Sequence, residues 1–302
     1  MDAKQYIWIN GRFVDFADAK VHVLTHSLQY GSGIFEGIRA YETRDGTAIF
    51  RLKEHMKRLV DTAKIYSMGL GYTQKQLEDA TVETVRKNGP KSCYIRPFAF
   101  YDDNRIGLTT KGKKVSVMIA AVPFGAYFEG HDKGISCKIA TWHRINSEIL
   151  PVTAKASGNY LNSIIASEEA AQAGADEAIL LSHNGYVAEG AGENIFLVRD
   201  NQLITPSAAS DILIGITRDS IMKIAAKDNL KVCEREVHKD ELYIADEVFF
   251  TGTAAEVTPI VRIDSKPIGT GRPGAITSKL RDRFNRIVHG DSKEFKEWLT
   301  YV

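Results

Sequence analysis

The chain has 302 residues, 44% of them hydrophobic and 25% charged, a length at which one core gives way to two domains. Thirty-nine basic residues against 38 acidic ones leave a net charge of +1, which argues against a broad electrostatic surface for nucleic acid or an anionic membrane. No run is long and apolar enough for a membrane span, and "MDAKQYIWINGRFVDF" lacks the basic-then-apolar order of a signal peptide, so a cytoplasmic protein is expected.

The chain opens with two short strands, "YIWING" and "RFVDF", meeting at the hairpin signal Asn10-Gly11. In "FRLKEHMKRLVDTAKIYSMG", Met56, Leu59, Val60 and Ala63 recur at helical spacing until Gly69 ends the run. "TQKQLEDATVETVRKNGP" reads as a second helix, started by the capping box Thr73-x-x-Gln76 and stopped at Asn88-Gly89-Pro90. Strands "SCYIRPFAFY" and "KVSVMIAAVPF" follow, then the glycine- and charge-rich stretch 125–134, the expected interdomain loop. Beyond it come a strand ("ISCKIATW"), a helix ("GNYLNSIIASEEAAQAG") and strands turning at Asn184-Gly185 and Asp200-Asn201. "TRDSIMKIAAKDN", "KVCEREV", "KDELYIADEVFFTG" and a C-terminal helical region complete the chain. This order predicts two α/β (α+β) domains with mixed sheets, 1–124 and 135–302, rather than a doubly wound parallel sheet.

Several stretches carry chemistry. Lys155 sits in "PVTAKASGNYLNS" among small residues that provide little hydration for an ammonium group. Desolvation is one way an amine becomes a nucleophile or Schiff-base partner; the alternative is a lysine at the start of the following helix. "GITRDS" puts Gly215, Ile216 and Thr217 ahead of a strong helix, where free N–H groups and the positive dipole end suit an anion. "TGTAAE", residues 251–256, follows a strand with small residues and two threonines, a backbone that a phosphate or carboxylate can approach. Each is also a plain cap or turn. "YVAEGAGENIF" holds Glu189 and Glu193; alternation sets Val187 and Glu189 on one face, and an inward carboxylate there requires a cation or a proton.

In "CYIRPFAFY", Tyr94, Arg96, Phe98 and Phe100 share one side, so Arg96 belongs either to an ion pair or to the polar wall of an apolar pocket. Arg58 lies opposite the Met56–Leu59–Ala63 stripe and, by pattern alone, faces solvent. "GSGIFEG" and "GAGEN" both miss the dinucleotide fingerprint G-x-G-x-x-G. His22, His26 and His55 have no ligand-like spacing, and Cys93, Cys137 and Cys233 are scattered as reduced core cysteines are, so no metal is expected.

Taken in order, "VHVLTHSLQYGSGIFEGIRAY", "EHMKRL", "YIRP", "GAYF", "AKASGNYLNS", "EGAGENIF", "GITRD" and "ADEVFFTGTAAEVTPI" cover nearly the whole chain. They resemble the branched-chain amino-acid aminotransferases, pyridoxal-phosphate enzymes of fold type IV. The resemblance implies a ping-pong transamination of leucine, isoleucine or valine with 2-oxoglutarate. It implies that Lys155 holds pyridoxal 5′-phosphate as a Schiff base and shuttles the proton, and that Glu189 pairs with the pyridinium nitrogen. Tyr160 then meets the cofactor's phenolic oxygen, while Arg58, Ile216, Thr217 and Thr253 hold the phosphate. Backbone N–H groups of Thr253 and Ala254 form part of the substrate α-carboxylate site, and Tyr94 and Arg96 form the polar side of the pocket, where Arg96 helps receive the distal carboxylate of glutamate. Tyr30, Phe35 and Tyr127 form apolar walls, Tyr127 near the interface of a homodimer or larger homo-oligomer. Phe124 and Ile214 depart from common family choices, which touches fine substrate preference only. A D-amino-acid aminotransferase or aminodeoxychorismate lyase on the same fold generally lacks the combined "FEGIRAY", "YIRP" and "GAYF". A nicotinamide-dependent oxidoreductase lacks its glycine fingerprint here, and a non-catalytic binding protein would not need Lys155, Glu189 and a phosphate cradle together.

Overall fold

A computed structural model describes residues 5–125, 128 and 133–302. The chain divides into two compact units: Met1–Gly125 with Ala154–Gly158 and Ile287–Val302, and Ala126–Thr153 with Asn159–Arg286. The expected division near 125–134 is the first of several crossings. Residues 154–158 and 287–302, expected in the C-terminal domain, group with the first unit for a physical reason: both are tied to its strands.

Unit 1 begins with β1 (Tyr6–Ile9) and β2 (Arg12–Asp15), paired antiparallel across Asn10 and Gly11, whose φ values of 49° and 87° give the twist of a two-residue hairpin. A short helix α1 (His26–Tyr30) leads to β3 (Gly33–Phe35), β4 (Ile38–Thr43) and β5 (Gly46–Phe50). Then come α2 (Leu52–Ile65), α3 (Gln74–Asn88), β6 (Cys93–Tyr101) and β7 (Val115–Val122). The sheet runs β5-β4-β6-β7-β1-β2, with β3 beside β6 and the C-terminal strand Leu299–Tyr301 beside β5, all antiparallel. Met56, Leu59 and Ala63 of α2 are buried together with Cys93, Ile95 and Ala99 of β6. The Thr73–Gln76 capping box is formed at both ends, and Gly89 closes α3 with φ 63°.

Unit 2 holds β8 (Ile135–Ile139), α4 (Tyr160–Gln172), β9 (Glu177–Leu181), β10 (Val187–Gly190), β11 (Asn194–Arg199) and β12 (Gln202–Pro206). It continues with α5 (Ile216–Lys227), β13 (Lys231–Arg235), α6 (Glu241–Ile244), β14 (Glu247–Gly252), β15 (Glu256–Ile263) and β16 (Lys266–Pro267). Helix α7 (Ala275–Val288) runs on toward the C-terminus. Its sheet, β10-β9-β8-β15-β14-β11-β12-β13, is mixed: β8–β9, β8–β15 and β12–β13 are parallel. Parallel neighbours require a crossover, and α4 and α5 supply it for β8–β9 and β12–β13. The helix start that follows β12 lies where α/β sheets commonly seat ligands. No helix among the described residues is long and apolar enough to cross a membrane.

Candidate active site

In unit 1, Lys155 is held by its backbone as if in a strand. Phe35 N donates to Lys155 O at 3.0 Å, Ile34 bridges Ala156, and Lys155 N donates to Thr62 Oγ1 at 3.3 Å. Such close backbone approach explains the small residues around the lysine. A Cβ on Gly31 would lie 3.3 Å from Gly158 Cα, and one on Gly33 would lie 2.5 Å from the Phe98 ring and 3.1 Å from Ser157 Oγ. Lys155 Nζ stands 5.1 Å from the centroid of Phe35, within cation–π range.

Arg58 departs from the helical-wheel expectation of a solvated side chain: only 15% of it is exposed. Its Nε and Nη2 donate to Glu36 Oε1 and Oε2 at 2.6 and 2.8 Å, and His55 Nδ1 lies 2.7 Å from the same Oε2. Burial opposes the charge on Glu36, but Arg58 and His55 more than offset it and hold the carboxyl well below its ordinary range. Sequence reasoning missed Glu36, although an acid inside "GIFEGI" signals a buried charge in search of a cation.

Arg96 resolves between its two alternatives: no carboxylate among the described residues pairs with it. Its Nη2 donates to the Tyr94 hydroxyl at 3.1 Å, and its guanidinium sits 4.6 Å from the Phe35 centroid. Gly37 makes room for that hydroxyl, since a Cβ there would fall 2.0 Å from it. Tyr94 and Phe124 are ring neighbours at 5.1 Å. Tyr30 is 40% exposed, and its hydroxyl accepts from Gly107 N at 3.2 Å. Tyr127 lies outside the described residues.

In unit 2, Glu189 is buried and gripped by three donors. Arg144 Nε reaches Oε1 at 2.7 Å; Asn194 Nδ2 and Leu213 N reach Oε2 at 3.0 and 3.1 Å. The expected alternation breaks here: the register shifts between Val187 and Glu189, and all of β10 is buried. The inward carboxylate's required cation is Arg144, which sequence reasoning also missed: nothing in "TWHRINS" marks it.

Asn194 ties this carboxylate to the start of α5. Its Nδ2 donates to Leu213 O at 2.8 Å, and its Oδ1 occupies the spot where a Cβ on Gly215 would fall, 1.9 Å away. Gly215 is the N-cap and offers no side-chain cap, so the first N–H groups of α5, beside the buried Thr217, form the helix's positive end. The "TGTAAE" stretch is the turn between β14 and β15, with Thr253 and Ala254 at its tip and both half-buried. At the start of that stretch, Thr251 Oγ1 is buried without a partner among the described residues. Tyr160 is the first residue of α4 and half-buried. Unit 2 thus gathers Glu189, Ile216 and Thr217 around Asn194 and Leu213, while unit 1 gathers Lys155, Phe35, Arg58, Tyr94 and Arg96.

The model of the family "Amino-transferase class IV" matches residues 33–263. A branched-chain-amino-acid aminotransferase of Pseudomonas aeruginosa is 46% identical over 303 residues, covering 100% of this chain and 98% of its own. This chain belongs to the branched-chain aminotransferases of class IV. The aminotransferase also matches solved structures along its length. The branched-chain aminotransferase of Thermoproteus uzoniensis, crystallised with norvaline, aligns with TM-score 0.94 and 46% identity over 98% of both chains. The T.th. branched-chain amino acid aminotransferase, in complex with N-(5′-phosphopyridoxyl)-L-glutamate, aligns with TM-score 0.95 and 46% identity over 99% of this chain and 98% of its own. The two-sheet α/β fold expected from the sequence is the fold of these aminotransferases.

Proposed function

We propose that this aminotransferase uses pyridoxal 5′-phosphate to move the amino group of leucine, isoleucine or valine to 2-oxoglutarate, in two half-reactions sharing one pocket. The observation that carries the reading is Glu189, oriented by Arg144, Asn194 and Leu213 N beside the uncapped start of α5. A fixed carboxylate next to an anion-binding helix end suits a ligand with a ring nitrogen at one side and a phosphate at the other. The residues present fit that group: Gly215, lacking a side chain, lets Asn194 reach from Glu189 to the start of α5, and Thr251 Oγ1 is a buried polar atom with no partner among the described residues.

When bound, the cofactor supplies an electron sink for the charge that develops at the amino acid's α-carbon. Lys155 Nζ would hold the cofactor and would take up the proton of the α-carbon. Glu189 would accept from the ring nitrogen and favour its protonated form. Tyr160 would donate to the phenolic oxygen. Ile216 N, Thr217, Thr253 and Arg58 would hold the phosphate. Thr253 and Ala254 N–H groups receive the α-carboxylate. Arg96, seated on Phe35 and Tyr94, accommodates both chains: its guanidinium binds the distal carboxylate of glutamate, and the rings of Phe35 and Tyr30 line an aliphatic one. The glutamate adduct in the T.th. relative supports a dicarboxylate partner. An apolar groove of about 540 Å³ on unit 1, lined by Ile7, Phe16, Val21, Leu28 and Met118, supports a homo-oligomer.

The test is a coupled assay with L-valine, L-leucine, D-alanine and 2-oxoglutarate on wild type and Lys155→Ala. Wild type is expected to turn over the branched L-amino acids, and the variant to lose turnover and the borohydride-sensitive visible absorbance. Unchanged transamination by Lys155→Ala would sink the mechanism, and turnover of D-alanine alone would sink the substrate class.

A further inference from the structure

We infer that Glu36 is a positioning residue for the phosphate site, acting through Arg58: it locks the guanidinium plane before any phosphate arrives. The inference rests on the reading of Arg58 as a phosphate donor. Glu36 is fully buried in the short link between β3 and β4, and its own N–H is satisfied by Pro97 O at 2.9 Å. Its two oxygens take two adjacent donors of one guanidinium, Nε at 2.6 Å and Nη2 at 2.8 Å. A planar fork held at two points cannot turn about its last side-chain torsion, so the edge away from Glu36 is presented at a fixed angle.

His55 completes the lock. It is buried one helical turn before Arg58 on α2, 2.7 Å from Glu36 Oε2 through Nδ1. Burial holds its pKa below the ordinary value, and the nearby charges of Arg58 and Lys155 add to that, against the pull of Glu36. A neutral ring with its proton on Nδ1 donates to Glu36 without adding a second cation, so the carboxylate's charge is left for Arg58. The arrangement costs nothing to reorganise when the phosphate binds, which is the advantage of a preset donor. A purely structural ion pair would give the same contacts with no consequence for phosphate, and binding separates the two readings.

The experiment titrates the resolved apoenzymes of wild type, Glu36→Gln, Arg58→Lys and the double variant with pyridoxal 5′-phosphate and, separately, with pyridoxal, which has no phosphate. Glu36→Gln is expected to weaken the phosphorylated form by about tenfold to a hundredfold, the worth of a charged hydrogen bond, and pyridoxal by less than about twofold. In the Arg58→Lys background the same change is expected to cost little, because the fork it aligns is gone. Equal weakening of both ligands, or full additivity with Arg58→Lys, would overturn the inference. Loss in Arg58→Lys with no loss in Glu36→Gln overturns the inference and spares Arg58; no loss in Arg58→Lys overturns the reading of Arg58 itself. Should Glu36→Gln not fold, Glu36→Asp, one methylene too short for both donors, is read by the same criteria.

Discussion

Gly215→Ala isolates the junction between Glu189 and α5. The backbone at Gly215 has φ −74° and ψ 136°, values that alanine adopts freely, so the added methyl acts through space alone. It would lie 1.9 Å from Asn194 Oδ1 and 3.1 Å from Asn194 Cγ. Ordinary contact is about 3.5 Å, so the carboxamide must retreat by roughly 1.5 Å. It cannot do so and keep Nδ2 at 3.0 Å from Glu189 and 2.8 Å from Leu213 O. Losing the bond to the carboxylate costs about 1.5–3 kcal/mol and the bond to the carbonyl about 1 kcal/mol. The stiffer unfolded chain returns about 0.4–1 kcal/mol. The net is a loss of roughly 2–3 kcal/mol, which lowers Tm by about 3–5 °C for a chain of this size.

Thermal unfolding of the apoprotein and titration with pyridoxal 5′-phosphate check both halves of that claim. The variant is expected to be less stable and to bind the cofactor more weakly, since Glu189 loses the Asn194 donor. Asn194→Ala removes the atom that the methyl strikes, so Gly215→Ala on that background is expected to cost almost nothing further. A Gly215→Ala protein with wild-type Tm and cofactor affinity, or one whose loss adds fully to that of Asn194→Ala, refutes the reasoning.

Gly33→Ala drives a methyl to 2.5 Å from the Phe98 ring, and overpacking of this kind is expected to cost about 1–3 kcal/mol by chemical denaturation; unchanged stability would contradict the close fit between β3 and the Phe98 ring on β6. Acid is expected to destabilise the protein through two groups. Glu36 is held below its ordinary pKa, so its contribution is complete above the unfolded carboxylate range near pH 4–5 and is lost as pH falls below it. His55 is also held below its ordinary value, so the unfolded chain takes up a proton that the fold refuses, and stability declines as pH falls through about 6.5. Tm measured from pH 8 to pH 4 is expected to fall less steeply near pH 6 in His55→Gln than in wild type, and identical slopes would refute the assignment.

What the sequence discloses depends on how far apart the partners lie along the chain. The Asn10-Gly11 hairpin, the Thr73–Gln76 box and the apolar stripe of α2 are held by neighbours, so periodicity and turn chemistry suffice to find them. Arg58 shows the opposite case. Its helix position points away from the apolar stripe, yet it is largely buried because Glu36, 22 residues earlier, gives its charge a partner. Lys155 is fixed by Phe35 and by Thr62, and even the nearer of the two, Thr62, lies 93 positions back along the chain. Its small neighbours are legible as closeness, but whether ligand or backbone comes close is not. Backbone does come close here, because Gly31 and Gly33 press the β3 side of unit 1 against 157–158 while the amine stays over the Phe35 ring. The same logic holds at Glu189: the need for a cation follows from burial alone, whereas its identity, Arg144, follows only from β9 carrying Leu181, whose carbonyl accepts from Arg144 N at 2.8 Å. A buried charge read from sequence is therefore half of a pair, and the search for its partner belongs among the charged residues that no local pattern explains.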